Sequence, residues 1–138
     1  MTTLRETFVK QILDLQTPAL VAINAKTERS LKAAISAEDG DTLVVHRGAE
    51  ELRDQVLGAT DCFVEILLSV VTHDDAPDAA ADAVMEVAHP IVMAYTHGAI
   101  IDIQQGNTDE PKYTNGRACV VTTHYLIHYR RSESSLSA

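Results

Sequence analysis

Apolar residues recur along the chain in two rhythms, and the alternation between them predicts the fold. The first rhythm is helical. Leu4, Phe8, Ile12 and Leu15 fall on one stripe, widened by Val9 and Leu13. Thr3 precedes it, with Glu6 at the capping-box spacing. Pro18 marks the expected end of this helix, and ALVAIN (Ala19 to Asn24) is expected as a short strand. Thr27 to Ala37 predicts a second short helix, with Leu31, Ala34 and Ile35 on one face, and EDGD (Glu38 to Asp41) a turn.

The second rhythm has a period of two. TLVVHR (Thr42 to Arg47) reads as a strand. GAEELRDQVLGAT (Gly48 to Thr60) is polar and reads as a loop or a mobile excursion. In CFVEILLSVVTH (Cys62 to His73), Cys62, Val64, Ile66, Leu68 and Val70 form one wholly apolar face. Phe63, Glu65, Leu67, Ser69 and Val71 form a mixed one. That contrast predicts a sheet covered by helices on one side and partly open on the other. The helical rhythm returns over Asp78 to His97, with Asp75 as expected cap and Pro77 in the first turn. Ala80, Val84, Val87 and Ile91 make its expected core stripe, with Asp78, Asp82, Glu86 and His89 on the opposite, solvated face. Pro90 predicts a kink or an early end, and Gly98 suits the C-terminal cap, with His97 near the last carbonyls. AIIDIQ (Ala99 to Gln104) is a strand, and QGNTDEPKYTNG a long turn-rich connection. RACVVTTHYLIHYRR is a long strand with Tyr125, Ile127 and Tyr129 on one face and His124, Leu126 and His128 on the other.

This order predicts an α+β (α/β) domain: a mostly antiparallel or mixed sheet of four to five strands, with two to three helices packed on one face. A chain of 138 residues is one ordinary domain, here residues 1–131 followed by a disordered C-terminal tail, 132–138. Without Trp, the core must be built from Val, Ile, Leu and Ala.

Charge narrows the functional classes. A formal net charge of −9 argues against autonomous nucleic-acid binding, sequence-specific binding included, and against docking on an anionic membrane, since both lean on Lys and Arg. It leaves room for a pore through which DNA merely passes. Cys62 and Cys119 sit in apolar runs and read as buried free thiols of a reducing compartment. The charged N-terminus reads as no secretory signal, and no apolar run reaches the ~20 residues of a membrane span.

The chemical candidates are few. His73-Asp74-Asp75 has the look of a phosphohydrolase or metal motif, but it ends a strand and precedes a helix cap. Glu86 and His89 have di-iron spacing, yet such sites need two of these motifs and two further carboxylates. His124 and His128 stand roughly 13 Å apart along a strand, too far to share a metal, and read as an exposed or interface face. No phosphate loop, nucleophile elbow or nucleophile–base pairing is apparent. A non-enzymatic protein with no cofactor and no metal is expected.

From Leu4 to Arg130 the layout resembles the tail terminator family of long-tailed bacteriophages, of the minor tail protein U type. The likeness lies in the amphipathic first helix, TLVVHRGAEEL running into charged residues, the CFVEILLSVV strand and the alanine-rich DAPDAAADAVMEVAHPIV helix. It continues through AIIDIQ after a glycine to the closing RACVVTTHYLIHYR, with its Tyr-x-x-x-Tyr-Arg end. EDGDTLVV stands where the family usually has Leu-Pro-Ala. The resemblance implies a virion structural subunit that forms a ring, a hexamer in the family. The ring caps the tail tube, stops its polymerisation and presents a surface to the head or neck. Its implied partners are further copies of itself, the tail tube protein and a head or neck completion protein. The isolated subunit could remain monomeric until the tube end templates it. Its implied places are the host cytoplasm during assembly and then the virion tail. Two polar segments are the candidate assembly interface, expected to be mobile in the free subunit: Arg47, Glu50, Glu51 and Arg53 in the first, Asp109, Glu110, Lys112 and Arg117 in the second. A head–tail completion protein and a small-ligand-binding module are the alternatives.

Overall fold

The computed structural model describes residues 2–36, 40–56, 58–114 and 118–138. Helix α1 (Leu4–Val21) leads to strand β1 (Ala25–Glu28), helix α2 (Leu31–Ser36) and the long strands β2 (Asp41–Val56) and β3 (Ala59–Thr72). Helix α3 (Pro77–Ala94), β4 (Ile100–Thr108), the two-residue β5 (Lys112–Tyr113) and β6 (Cys119–Ser132) follow. The sheet has the order β1-β2-β3-β6-β4, and β5 pairs with the start of β6. β1 runs parallel to β2 and every other pair is antiparallel. The α+β prediction holds, and the mixed sheet has six strands where four to five were expected, the sixth being the two-residue β5.

Helix α1 starts as its sequence dictates: the Thr3 hydroxyl accepts from the Glu6 N–H at 3.2 Å. Leu4, Phe8 and Ile12 are buried, but the stripe continues through Gln16 and Leu20, and Leu15 is exposed. A strict i, i+4 rhythm carries the buried face to Gln16, whose Nε2 donates to the Ala88 carbonyl of α3 at 2.8 Å. The helix also runs through Pro18, so ALVAIN is not a strand. Thr17 Oγ1 donates to the Leu13 carbonyl at 3.0 Å beside the proline, and buried Leu20 anchors the final turn. Asn24, at φ 59°, turns the chain into β1; a left-handed residue is a common way to stop a helix. The second helix is shorter than expected, because Thr27 and Glu28 belong to β1; residue 37 of the predicted helix and residues 38–39 of the predicted turn lie outside the described residues.

The main core lies between the sheet and the layer of α1 and α3. Leu43 and Val45, the Cys62-to-Val70 alternate set, and Val121, Tyr125, Ile127 and Tyr129 all enter it. Phe8 packs edge-on against Tyr129 with ring centres 5.0 Å apart. The remaining helix, α2, does not join the face expected for all the helices but covers one end of the other, over Val44, Val71 and Val120. Those positions are apolar on the side opposite α1 and α3, so they need a cover of their own. On α3 the buried stripe is Ala81, Val84, Ala88 and Val92, about one residue round from the expected one, and the helix passes through Pro90 to Ala94. Its end is at Tyr95, not Gly98, and His97 lies beyond it, accepting from the Ala99 N–H at 3.0 Å.

Two further expectations are corrected. Gly48 to Val56 is not a loop: β2 continues through it, paired with β3 by way of register shifts between Arg47 and Glu50 and between Leu52 and Gln55. Two bulges absorb the irregular sequence and keep the ladder running. The 105–117 connection likewise holds the end of β4 and all of β5. In the segment 132–138 the Leu136 carbonyl accepts from the Leu4 N–H at 2.8 Å, and just before it buried Arg131 donates to the Ser132 carbonyl at 2.9 Å. No described helix is long and apolar enough to cross a membrane.

Candidate interaction surface

The eight candidate interface residues fall into two separate groups. Arg47, Glu50, Glu51 and Arg53 lie on β2, towards one edge of the sheet. Asp109, Glu110 and Lys112 lie after β4 and on β5, along the opposite edge. Arg117 lies outside the described residues. β3 and β6 stand between the groups, and the sheet does not bring them together.

Glu50 has its carboxylate engaged within the chain. Its carboxylate turns to the helical side, where Arg5 Nη1 and the Tyr129 hydroxyl both donate to it. Asp109 is also held: Asn107 donates to Oδ1 at 3.0 Å, and His124 Nε2 lies 2.9 Å from Oδ2. Arg47, Glu51, Glu110 and Lys112 remain exposed.

The face away from α1 and α3 carries a polar and aromatic surface built by strand register. Phe63 stands opposite His128, and Leu67 opposite His124. Side chains of paired residues share a face, so these groups meet. Phe63 and His128 stack with ring centres 4.2 Å apart, and the Arg53 guanidinium lies over the Phe63 ring at 4.2 Å. This sandwich joins β2, β3 and β6. Beside it, Arg130 Nε donates to Asp61 at 2.8 Å.

Further along, His124 lies between two carboxylates. Its Nε2 reaches Asp109, and its Nδ1 lies 3.2 Å from Glu65 Oε1. Asp109, and then Glu65, raise the His124 pKa above the ordinary imidazole value, while His124 holds Asp109 below the usual carboxylate range. The backbone makes room for Glu65 at Gly48: a Cβ there would lie 2.5 Å from Glu65 Oε1 and 3.2 Å from its Cβ. Past this cluster, His46 Nε2 lies 2.9 Å from Ser69 Oγ, which lies 2.7 Å from Thr122 Oγ1. Burial, then Arg29 and His124, lower the His46 pKa. This Ser–His contact is the pairing the sequence did not reveal. Ser69 is wholly buried, so no substrate reaches its hydroxyl in this arrangement.

The opening motif of α3 is spent on the turn. Asp74 Oδ1 accepts from the Ala76 N–H at 3.1 Å, and His73 Nδ1 lies 3.0 Å from the Gly40 carbonyl. The helix starts at Ala76 with no side-chain cap, so Asp75 does not cap it. His89 is also corrected: it turns from the solvated face to the Tyr125 hydroxyl, 2.7 Å away, and leaves Glu86 exposed. Among the described residues no group of three or more His, Cys, Asp or Glu side chains could hold a metal ion. Cys62 and Cys119 are buried and unbonded to each other. Cys119 stands opposite Thr72 and Cys62 opposite Tyr129, which separates them by about 33 Å along the strands.

Neither a family model nor a curated protein matches the chain.

Proposed function

We propose that the chain is a phage or prophage virion structural protein, a tail terminator whose copies form a ring on the end of the tail tube. The ring would stop tube polymerisation and offer its far side to the head or neck. The observation that carries this reading is the state of the sheet's two edges. β1 covers β2 only along Asp41 to Val44, which leaves its outer edge without a described strand neighbour from Val45 to Val56. Among the described residues β4, at the other end of the strand order, has a strand neighbour, β6, on one side only. Two different edges of one sheet, each without a described strand neighbour over most of its length, suit head-to-tail self-association, which makes rings where the rotation closes. The layout resemblance to tail terminators supports the same reading, as does a net charge of −9 on a ring that DNA must traverse. Arg47, Glu51 and Arg53 on one edge and Glu110 and Lys112 near the other are the exposed charges of such a contact.

The experiment is deletion of the gene from its phage, with electron microscopy of the tails. Abnormally long tails, or tails that do not join heads, are expected. Normal tails joined to heads would refute the proposal.

A further inference from the structure

The two edges match in direction, level and chemistry, and we infer that a second copy of this chain adds by pairing its β2 edge with the β4 edge of the first, seating Leu52 in an apolar groove. This inference rests on the ring-forming part of the proposed function and specifies its contact.

Direction comes first. β2, β3, β6 and β4 alternate strictly antiparallel, so β4 and β2 of one subunit run in opposite senses. A neighbour placed with its β2 beside β4 continues the alternation, and this is the pairing that keeps the ladder's perpendicular hydrogen bonds.

Level comes next. Leu52 pairs with Cys62, Cys62 with Tyr129, and Tyr129 with Ile100. Leu52 therefore lies on the same transverse row as the start of β4. Sideways addition without slip along the strands brings Leu52 of one copy to Ile100 and Ile101 of the next.

Chemistry is the third match. Cys62 faces the helical side, so its pair partner Leu52 does too, yet Leu52 is 50% exposed. At the β4 end of that row, on the helical side, a groove of about 240 Å³ runs between the end of α3 and β4, with Met93, Tyr95 and Ile101 in its lining. Tyr95 and Thr96 also line an adjoining groove of about 390 Å³ that reaches Leu15 on α1. Leu15, Met93 and Ile101 are all exposed large hydrophobics. Such a cluster beside a strand edge that has no described neighbour marks a contact surface. β4 carries no Lys, Arg or Pro to discourage pairing, and its one charged residue is Asp102. On the open side Asp102 shares a row with Glu51 through His128 and Phe63. In the proposed contact Arg53 of the neighbour falls diagonal to Asp102 and offsets that like-charge pair. Two β4 edges set against each other would have no such arginine.

The test uses the full chain. Subunits carrying Leu52→Cys are mixed with subunits carrying Met93→Cys, concentrated or assembled on tail tubes, and treated with a short bismaleimide. A covalent dimer is expected from the mixture and not from either variant alone, because the contact is head-to-tail. Native Cys62 and Cys119 are buried, and wild type serves as the control. In parallel, Leu52→Asp is expected to weaken self-association, read by sedimentation, by about tenfold or more. Its melting temperature should be unchanged, since the side chain is half exposed in the free subunit. Rings that form without the mixed cross-link, or that survive Leu52→Asp, overturn this contact and leave the ring reading standing. Absence of association both in concentrated solution and on tubes overturns both. Cross-linking of Met93→Cys with itself overturns the head-to-tail arrangement in favour of a two-fold one.

Discussion

Glu50 offers the sharpest test of how the surface is divided between fold and function. Sequence places it beside Glu51 in a charged stretch, and the two look equivalent. In the structure Glu51 is 68% exposed, its carboxylate 3.4 Å from Arg53. The Glu50 side chain is 12% exposed and its Arg5 partner 25%. Tyr129, which donates to the same carboxylate, is fully buried in the core. Burial and the neighbouring carboxylate push the Tyr129 pKa up, so its hydroxyl keeps its proton and donates. Glu50→Ala leaves a phenol hydroxyl without an acceptor and a guanidinium without its counter-charge. Hydrogen bonds to charged groups contribute roughly 1.5–3 kcal/mol, and breaking a fully buried ion pair costs about 3–5 kcal/mol. Arg5 retains some solvent, which moderates the second figure. A loss of about 3 kcal/mol is expected for Glu50→Ala. Glu50→Gln keeps the acceptor for Tyr129 and loses only the charge, so about half of that is expected. For Glu51→Ala the change should stay within about 0.5 kcal/mol.

The assay is urea unfolding at neutral pH with the slope compared across variants, so that a shift in midpoint at constant slope reads as stability. Glu50→Ala within about 0.5 kcal/mol of wild type would refute the structural role and return Glu50 to the candidate interface residues. The expected ranking also changes how charge reversal on β2 is read. A defect at Arg47 or Glu51 in a stably folded subunit reports on assembly; the same defect at Glu50 reports on folding.

Four further outcomes are expected. His124 has its pKa raised in the folded protein, so its contribution is fully present below the unfolded imidazole value near 6.5 and fades as pH rises through the higher folded value. Asp109 is shifted the opposite way, and its contribution is lost as pH falls through its lowered value; His124→Gln should flatten the urea stability profile at both ends, and an unchanged profile would count against the cluster. Gly48→Ala should push Glu65 off its place, costing about 1 kcal/mol and lowering the His124 pKa measured by NMR; an unmoved titration would refute the contact. Asp75→Ala should cost under about 0.5 kcal/mol because the helix uses no cap there, whereas Asp74→Ala should cost about 1 kcal/mol, and the reverse order in thermal melts would reinstate the Asp75 cap. Thiol titration of freshly made, denatured, unreduced protein should find two free groups, and finding none would contradict the spacing of Cys62 and Cys119.

The parts legible in the sequence are those where burial imposes a clean period. In β3 and β6 one face is covered along most of the strand, so every second residue is apolar and the alternation can be read directly. β2 beyond Arg47 was illegible for the opposite reason. It borders solvent, its outer residues are charged, and two bulges break the period, so it reads as loop. Helix α1 outran its proline because tertiary burial of Gln16 and Leu20 overrides a local breaker. A glutamine in the stripe gives no sign that it belongs in the core; its partner, the Ala88 carbonyl, is on another helix. The interaction surface divides in the same way. That His124 and His128 share a face follows from their spacing. Their partners Asp109, Glu65 and Phe63, and Arg53 above Phe63, follow only from strand order and register, which one strand at a time does not encode.

The charge of the whole molecule then bears on when such edges meet. Copies carrying −9 each repel one another, and at physiological ionic strength that repulsion is felt over roughly 8 Å. The proposed edge contact must overcome it with one leucine in a groove, a ladder of backbone hydrogen bonds and a diagonal Arg–Asp pair. Immobilisation of each subunit opposes the same small gain. A contact balanced in this way is weak between free subunits and strong once several copies are held side by side by another surface, because each then loses its freedom only once. The tail tube end in the proposed function is such a surface. Added salt, by screening the repulsion, should then promote self-association of the free subunit, whereas a contact held chiefly by complementary charge would weaken.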